Sequence, residues 1–474
     1  MELTIAALGS GILFAYPQLT TIAGVQGFVT YTLSTALPLL IFGFVGPMVR
    51  RKCPEGFVLT EWTRHRYGVA AALYVSFVSV ITLFLFMVSE LSAVGQVVSA
   101  LTGLDGLPVI IVHRVLATST YIPSFYLAVG GFKISFLTDV IQGCMVLGLT
   151  FIAAIIIGVE THIDPSLIDS SGLLNSSLLG WQLLYILPVC ILTNDFFLSS
   201  FWLRTFASKT DRELWIGVST AAVLLICILT LVSSTGLIAA WSGAWPGNPP
   251  QDGSMAFFLL LQQMPSWVVG IVLVMVLTLS TSAFDSLQSA MVSTISNDLF
   301  RNRLNMWFVR LSVVLIIIPI IAIAIRAPSI LQIYLISNLL SACTVPCLVI
   351  GLSDRCHWWG DFELITGSLG GVLTVFIFGC IFYEGDSLRA GRLLLVWDGL
   401  YGDDWSAFGA FVAAPVGSLL WGFGALGLRT SVKYMLAKNQ VRHFDTLDHS
   451  PEDIVDDENT GPEHHTSQPV GKPL

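Results

Sequence analysis

A stripe of hydroxyl side chains with one carboxylate runs along a long apolar stretch of the chain, Val272–Phe300. Its polar members are Ser282, Asp285, Ser286, Ser289, Ser293 and Ser296. Spacings of three, four and seven residues place them largely on one face of a helix. Polar groups at membrane depth are costly unless they face protein, water or an ion. The stretch therefore predicts a helix that lines a pathway for a cation and a solute, with the other helices arranged around it.

Two other acids, Glu90 and Asp195, fall inside predicted membrane spans, and no lysine lies in the middle of any span. Buried acids without buried bases favour a coupling cation, or a cationic or amide-bearing solute, over an anion. We therefore predict that Asp285 takes part in cation binding. The predicted substrate contacts are Leu13, Glu90, Asn194 and Asp195. For each acid, the alternative is a structural hydrogen bond to a neighbouring helix.

The composition excludes most soluble classes of protein. Of 474 residues, 54% are hydrophobic and 11% are charged, whereas a soluble domain carries about 25% charged residues. Long apolar runs separated by charged clusters favour helices over a β-barrel, whose strands are short and alternating. We therefore predict an all-α integral membrane protein whose partners are the lipid bilayer and a small polar solute, and not nucleic acid.

No residue pattern typical of catalysis is present in the sequence. It contains no Ser-His-Asp constellation, phosphate-binding loop or dinucleotide fingerprint, and its eight cysteines lack the spacing of metal ligands. We predict that the chain is not an enzyme and that it uses no cofactor apart from a coupling ion, Na⁺ or H⁺.

Apolar runs of about 20 residues predict about twelve membrane spans. They lie near 3–24, 27–49, 69–101, 107–129, 136–159, 179–203, 214–241, 266–297, 307–326, 329–352, 361–383 and 405–428. Lys and Arg cluster in the loops after the even-numbered spans, so the positive-inside rule predicts cytoplasmic termini in a multi-pass protein of the plasma membrane. Asn175-Ser176-Ser177 is a glycosylation sequon in a predicted outer loop, which agrees with this orientation.

The first and sixth spans contain residues that a continuous helix avoids. The first holds Gly9, Gly11 and Pro17, and the sixth holds Pro188 followed by Thr193-Asn194-Asp195. Interrupted helices are tolerated where free backbone groups meet a cavity or a bound ion. Breaks five spans apart predict a five-plus-five inverted repeat with the binding site between the broken pair. Ordinary membrane kinks are the alternative.

The predicted repeat divides the chain into three parts. Residues 1–352 form a ten-helix core with repeats at about 1–160 and 179–352, and residues 353–436 add two helices. Residues 437–474 are polar and acidic and cannot bury a core, so we predict a disordered cytoplasmic tail.

Several short segments, in the same order along the chain, resemble the sodium/solute symporter family. Each motif is weak alone, whereas the ordered set is specific and covers most of residues 6–300. The segments are Gly24-Val25-Gln26-Gly27, Thr60-Glu61 with Arg66-Tyr67-Gly68, Gly130-Gly131-Phe132-Lys133 with Phe136–Gln142, Phe201–Ala207, and Ser282-Ala283 with Asp298-Leu299-Phe300.

The resemblance implies a LeuT-like core that works by alternating access. In the family, backbone carbonyls of the broken first helix and hydroxyls of the eighth helix hold a sodium ion. The matching positions here are Ala6, Gly9, Leu279, Ser282 and Ala283. Asp139 matches a family aspartate that serves a second, inner cation step, and its alternative role is an N-terminal helix cap.

The Thr281-Ser282-Ala283 variant and the run Gly130–Leu137 look closer to the urea and polyamine branch of that family, which is found in fungi and plants and in which proton coupling is usual. Ala283 lacks the second hydroxyl of sodium-coupled members, which weakens a site for a hard cation, and Asp285 is the expected substitute. Asp139 and Gln142 instead follow the pattern of sodium–sugar symporters. We therefore expect a cation-coupled symporter for urea or a polyamine.

Three alternatives stay open at this point. One is a sodium-coupled symporter for a sugar or an amino acid, and another is a channel, whose flux would not need a cation gradient. The third is a transporter-derived membrane sensor. The family pattern has an extra helix before the core and a longer first core helix than the residues before Gly9 allow, and this difference favours the sensor.

Overall fold

The computed structural model describes residues 9–54, 58–104, 106, 108, 125–300, 306–326, 329–400 and 404–438. Within these ranges, the side chains of residues 125–142, 200, 285, 297, 299, 306–307 and 309–314 are not described. All regular elements in the described ranges are helical, which confirms the predicted all-α class.

The α-helices are numbered here in chain order. They are α1 Ile12–Ala36, α2 Pro38–Lys52, α3 Leu59–Tyr67, α4 Val69–Thr102, α5 Phe125–Glu160, α6 Pro165–Ser171, α7 Leu178–Asp195, α8 Ser199–Ala207, α9 Asp211–Trp241, α10 Ala256–Gln262, α11 Ser266–Ser293, α12 Met306–Ala324, α13 Ile330–Ile350, α14 Asp361–Phe382, α15 Ser387–Leu394 and α16 Ser406–Lys438. A π-helical turn, Thr294–Leu299, extends α11. Among the described residues, nine helical segments are long and apolar enough to cross a membrane.

Gly24 divides the longest of these segments, Ile12–Lys52, into two spans. Its φ of +58° and ψ of −149° lie in a region that is essentially reserved for glycine. A Cβ added at Gly24 would lie 2.0 Å from the carbonyl oxygen of Leu173, which accepts the Val25 N–H at 3.0 Å. The bend falls between the spans predicted near 3–24 and 27–49, so one segment accounts for both.

The interruption expected in the sixth span is present, and the described part of the first span begins with a turn; neither feature lies at a proline. The first described residues, 9–11, form a turn before α1, and Pro17 lies inside that helix. Residues 196–198 separate α7 from α8, whereas Pro188 lies inside α7. A membrane helix accommodates a proline when neighbouring helices satisfy the freed backbone groups. Of the residues named for these spans, Gly9 and Gly11 lie in the turn and Thr193-Asn194-Asp195 ends directly before the break, whereas the two prolines lie inside helices.

Some predicted boundaries differ from the structure. Helix α5 begins at Phe125, so residues 130–133, expected in a loop, are helical. Glycine is tolerated inside a helix when helix-forming residues continue on both sides. The span predicted near 107–129 and the acidic tail lie mostly outside the described residues. Helix α16 continues to Lys438, beyond the predicted end of the last span.

The helices that carry the candidate site pack around a common centre. Helix α1 lies against α7 and α9, and α4 lies against α11 and α13. Helix α13 also contacts α7. The start of α1 and the end of α7 thereby lie near the same residues of α4, α11 and α13.

The last two long helices form a close pair on one side of α13. Helices α14 and α16 pack on each other and against α13. A Cβ added at Gly371 would lie 2.9 Å from the Ala414 carbonyl oxygen, so glycine lets the two backbones approach. Glu363, at the start of α14, is fully buried and pairs with Arg429 of α16 at 2.9 Å. This ion pair fastens the two helices at one end.

Polar side chains also hold the end of α13. Tyr67 donates a hydrogen bond to the Leu348 carbonyl at 2.8 Å, and Arg66 Nε donates one to the carbonyl of Gly351, the residue directly after α13, at 3.2 Å. The last carbonyls of a helix lack intrahelical partners. The Arg66-Tyr67 pair supplies donors at this end of α13, which connects the two halves of the bundle.

Candidate substrate cavity

A cavity lies at the centre of the bundle, beside both interruptions. Its volume is about 130 Å³, roughly ten times the minimum of about 10–15 Å³ that holds one water molecule. The described residues that line it are Gly9, Ile12, Tyr16, Tyr31, Thr35, Leu39, Phe86, Glu90, Ile191, Asn194, Asp195, Leu198, Phe201, Ala283, Ser286, Leu287, Tyr334 and Asn338. The cavity therefore has room for a small solute.

The described lining contains two carboxylates and neither lysine nor arginine. Glu90 is 2% exposed and Asp195 is 7% exposed. Charges buried this deeply are costly unless an opposite charge or hydrogen-bond donors compensate them. The cavity is therefore suited to a cation, or to a solute that offers several hydrogen-bond donors.

Glu90 reaches from α4 to the turn that precedes α1. Its Oε2 accepts hydrogen bonds from the Ser10 N–H at 2.8 Å and from Ser10 Oγ at 2.7 Å. A Cβ added at Gly9 would lie 2.0 Å from Glu90 Oε1, so this approach requires glycine. The carboxylate thereby accepts charge-assisted hydrogen bonds, one of which satisfies a backbone N–H that precedes the first turn of α1.

Asp195 is the last residue of α7, at the interruption. No donor among the described residues hydrogen-bonds to its carboxylate, although the residue is only 7% exposed. The neighbouring Asn194 Oδ1 accepts hydrogen bonds from Ser337 Oγ at 2.9 Å and Ser341 Oγ at 3.2 Å. The C-terminal end of a helix carries partial negative charge, so the end of α7 adds to the attraction for a cation.

Aromatic rings form much of the remaining lining. The rings of Tyr16 and Tyr31 stack with centroids 3.9 Å apart and planes 2° apart. The rings of Phe86 and Tyr334 lie 5.0 Å apart. The face of an aromatic ring attracts an ammonium group within about 6 Å of its centroid. Rings beside two carboxylates can therefore hold both the charged and the apolar parts of an amine.

The positions that match the family's cation site lie on α11 and at the start of α1. Ser282 is buried, and its Oγ has no hydrogen-bond partner among the described residues. Leu279 is buried one turn earlier, and Gly9 and Ala283 border the cavity. A buried hydroxyl without a protein partner has the chemistry of a cation ligand. Ala6 lies outside the described residues.

The two aspartates assigned to cation steps are only partly described. Asp139 lies in α5 and Asp285 in α11, but the structure describes neither side chain. Along the predicted hydroxyl stripe, Ser286 lines the cavity, whereas Ser289 is exposed and does not line it. The stripe thus meets the cavity over only part of its length.

The structure brings Glu90, Asn194 and Asp195 together at the cavity, as expected of substrate contacts, but not Leu13. Leu13 is 2% exposed and packs in the apolar core. Ile12 and Tyr16 line the cavity instead. Residues four apart share a helix face, whereas the next residue is turned by about 100°, so Leu13 points away.

The aromatic part of the lining was missed from the sequence. Tyr16 and Tyr334 lie within about one turn of the start of their helices, and Tyr31 lies near the end of α1. Tyrosine in membrane proteins is enriched at the lipid–water interface, and of the three only Tyr16 lies in the middle of a predicted span, so the sequence offered a signal for that residue alone.

Comparisons with known proteins identify transporters that are similar to this chain. The spermidine transporter DUR31 of Candida albicans is 49% identical over 446 residues, which are 94% of this chain and 84% of that protein. A Na⁺-coupled sialic acid symporter in a substrate-bound, outward-open state has a TM-score of 0.62 at 15% identity, over 90% of this chain and 88% of the symporter. Mhp1 in its inward-facing conformation has a TM-score of 0.50 at 16% identity, over 96% of this chain and 93% of Mhp1.

No protein-family model matches the chain. The two solved structures show the fold, which is the LeuT-like arrangement of five plus five helices with the first and sixth interrupted. The Candida relative, at its level of identity and coverage, shows the family. The chain therefore belongs to the family of the Candida albicans spermidine transporter, and it is a multi-span membrane transporter rather than an enzyme.

Proposed function

We propose that the protein is a cation-coupled symporter that imports a polyamine, or a closely related small amine, across the plasma membrane by alternating access. One observation carries the proposal. A cavity beside two interrupted helices presents Glu90 and Asp195, and its described lining contains no basic side chain.

A linear amine matches this lining in both charge and shape. Its ammonium groups would compensate the two carboxylates, and its methylene segments would lie on the tyrosine and phenylalanine rings. Spermidine, which the Candida relative is named for, carries several ammonium groups joined by methylene chains. Urea and sugars are neutral and would leave Glu90 and Asp195 without an opposite charge, so we prefer a polyamine to urea as the substrate.

We propose that the coupling ion, Na⁺ or H⁺, acts between the start of α1 and α11. The buried Oγ of Ser282 is the described side-chain ligand, and the resemblance adds backbone groups of Ala6, Gly9 and Leu279. A site with few oxygen ligands binds a hard cation weakly. The Asp285 carboxylate on the same helix is the proposed additional ligand or proton carrier, and Asp139 is the proposed residue for an inner cation step.

Uptake of radiolabelled spermidine, urea and proline, in cells expressing the protein, tests this function. The proposal expects spermidine uptake that is saturable and that falls when Na⁺ is removed or when the pH gradient is collapsed. Uptake that is insensitive to both treatments contradicts coupled symport and favours a channel. Spermidine binding without uptake contradicts transport and favours a sensor. Loss of uptake in Asp285→Asn but not in Glu160→Gln, an exposed acid, supports the proposed cation step.

We also propose an organisation for the whole chain. Residues 1–352 form the ten-helix transport core, and residues 353–436 add the helices that pack beside α13. Both termini lie in the cytoplasm. The support is the distribution of Lys and Arg between the predicted loops, together with the close packing of α14 and α16 on each other.

A further inference from the structure

We propose that Glu90 is a substrate-sensitive clamp on the start of the first helix. Its carboxylate holds Ser10 when no amine is bound, and an ammonium group of the solute competes for that carboxylate and releases Ser10. The inference rests on the proposed function, because it requires a solute that carries an ammonium group.

Glu90 makes two kinds of contact at once. Through Oε2 it accepts both the N–H and the hydroxyl of Ser10, at 2.8 and 2.7 Å, across 80 positions of sequence. The same side chain borders the cavity. A group that binds Glu90 from the cavity therefore competes with the contact that holds α1.

The turn at residues 9–11 is tied to α4 through one side chain. Ser10 is fully buried between Gly9 and Gly11, so it is the only residue of the turn that has a side chain. Glycine on both sides gives the backbone wide conformational freedom. The backbone hydrogen bonds of Gly9 and Ser10 to Ile12 and Leu13 lie within the start of α1, so loss of the hydrogen bonds from Ser10 to Glu90 loosens the contact between the turn and α4.

Neighbouring side chains surround Glu90, so an ammonium group reaches it from the cavity. The Tyr334 ring of α13 lies near the carboxylate, and its hydroxyl would be 2.1 Å from a Cβ added at Gly11. Ser280 Oγ of α11 lies 3.4 Å from the Glu90 carbonyl oxygen. The other carboxylate of the lining, Asp195, is at the break after α7. Two carboxylates on different helices let one polyamine contact both the clamp and the end of α7.

Ser10→Ala is the decisive variant, because it removes one of the two hydrogen bonds and leaves the carboxylate in place. A weakened clamp competes less with the solute. We therefore expect the KM for spermidine to fall by roughly 10- to 100-fold, since a hydrogen bond to a charged group contributes on that scale. Ser233→Ala is the matched control, because Ser233 is a buried serine of α9 whose Oγ has no partner among the described residues.

Hydrogen–deuterium exchange provides a readout that a merely structural role of Glu90 would not produce. In the wild-type protein, we expect spermidine to increase exchange in the peptide that contains residues 9–16. In Ser10→Ala, the same peptide should exchange faster before spermidine is added. In Glu90→Gln, which keeps the size of the side chain but lacks its charge, spermidine should leave exchange in this peptide unchanged.

The outcomes separate the clamp from the function on which it rests. Wild-type protein that neither binds nor imports spermidine overturns both proposals. Wild-type uptake with a KM that is unchanged or raised in a well-folded Ser10→Ala protein overturns the clamp and leaves the function standing. Slower exchange of the 9–16 peptide on addition of spermidine also overturns the clamp.

Discussion

The hydroxyl of Thr60 donates a hydrogen bond to Asp298 Oδ2 across 2.5 Å. This contact joins α3 to the π-helical end of α11, just beyond the membrane span that ends at Ser296. Arg64, on the same face of α3, donates to the Asp298 carbonyl at 2.9 Å. Asp298 is 5% exposed, and this burial raises its pKa to about 6, although Thr60 and Arg64 oppose the shift.

The raised pKa of Asp298 predicts a defined pH dependence of stability. In the unfolded chain its pKa is about 3.9, so between about pH 4 and pH 6 the folded protein binds a proton that the unfolded chain has lost. The free energy of unfolding therefore falls as pH rises through this window, by at most about 3 kcal/mol. We expect Asp298→Asn, which cannot ionise, to lose this decline.

Thermal unfolding of the purified protein between pH 4 and pH 7.5 checks this prediction. Asp169→Asn, at an exposed aspartate, is the control and should follow the wild-type curve. If Asp298→Asn and the wild type keep a constant difference in melting temperature across the window, Asp298 does not titrate there.

Asp195→Asn should weaken spermidine uptake by raising KM. Replacing the carboxylate with an amide removes a charge-assisted contact worth about 1.5–3 kcal/mol, which corresponds to roughly a 10- to 100-fold loss of affinity. Initial rates of uptake over a range of spermidine concentrations measure the change. Glu160→Gln should leave KM unaltered, and Asp195→Glu should recover part of the affinity. An unchanged KM in Asp195→Asn would exclude this residue as a substrate contact.

Gly24→Ala should destabilise the protein. The residue adopts a positive φ that costs a non-glycine residue on the order of 1–3 kcal/mol, and the added methyl would meet the Leu173 carbonyl. Gly148→Ala in α5 is the control, because a Cβ at that position meets nothing within 4 Å and alanine is the better helix former. Melting temperatures of the two variants should move in opposite directions, and equal shifts would contradict this reading.

The Glu363–Arg429 ion pair predicts that a single substitution at either residue lowers stability more than the double substitution does. Removing one partner leaves an uncompensated charge and should cost about 3–5 kcal/mol of stability. Replacing both with methionine should cost less than either single change. Arg389→Met, at a residue that is mostly exposed in its own ion pair, should cost less than about 1 kcal/mol. Additive losses in the double variant would show that the two side chains do not interact.

The sequon at Asn175 tests the orientation of the chain. Asn175 is exposed in the loop between α6 and α7, which the proposed topology places outside the cell. Expression in a eukaryotic host should give a product whose electrophoretic mobility increases on treatment with an N-glycosidase. Asn175→Gln should migrate like the treated protein from the start. A wild-type product that the glycosidase does not change, with the sequon intact, would argue against this orientation.

The gross architecture could be predicted because lipid imposes it. A bilayer accepts apolar helices of about 20 residues and little else, so composition and run length were sufficient for the all-α class. Helix-breaking residues in the first and sixth spans indicated which helices are interrupted. Helix ends were less accurate, as α5 shows: it begins at Phe125, about eleven residues before the start predicted from the apolar run near 136–159.

The sequence by itself determined the class of the protein, the break in the sixth span and two acids that are buried within predicted spans, Glu90 and Asp195. Tertiary structure alone decided which side chains meet: it joined Glu90 to Ser10, stacked Tyr16 on Tyr31 and turned Leu13 away from the cavity. The physical reason is that a membrane helix is apolar around its whole circumference. Its pattern therefore does not distinguish the face toward lipid from the face toward a neighbour, and only packing reveals it.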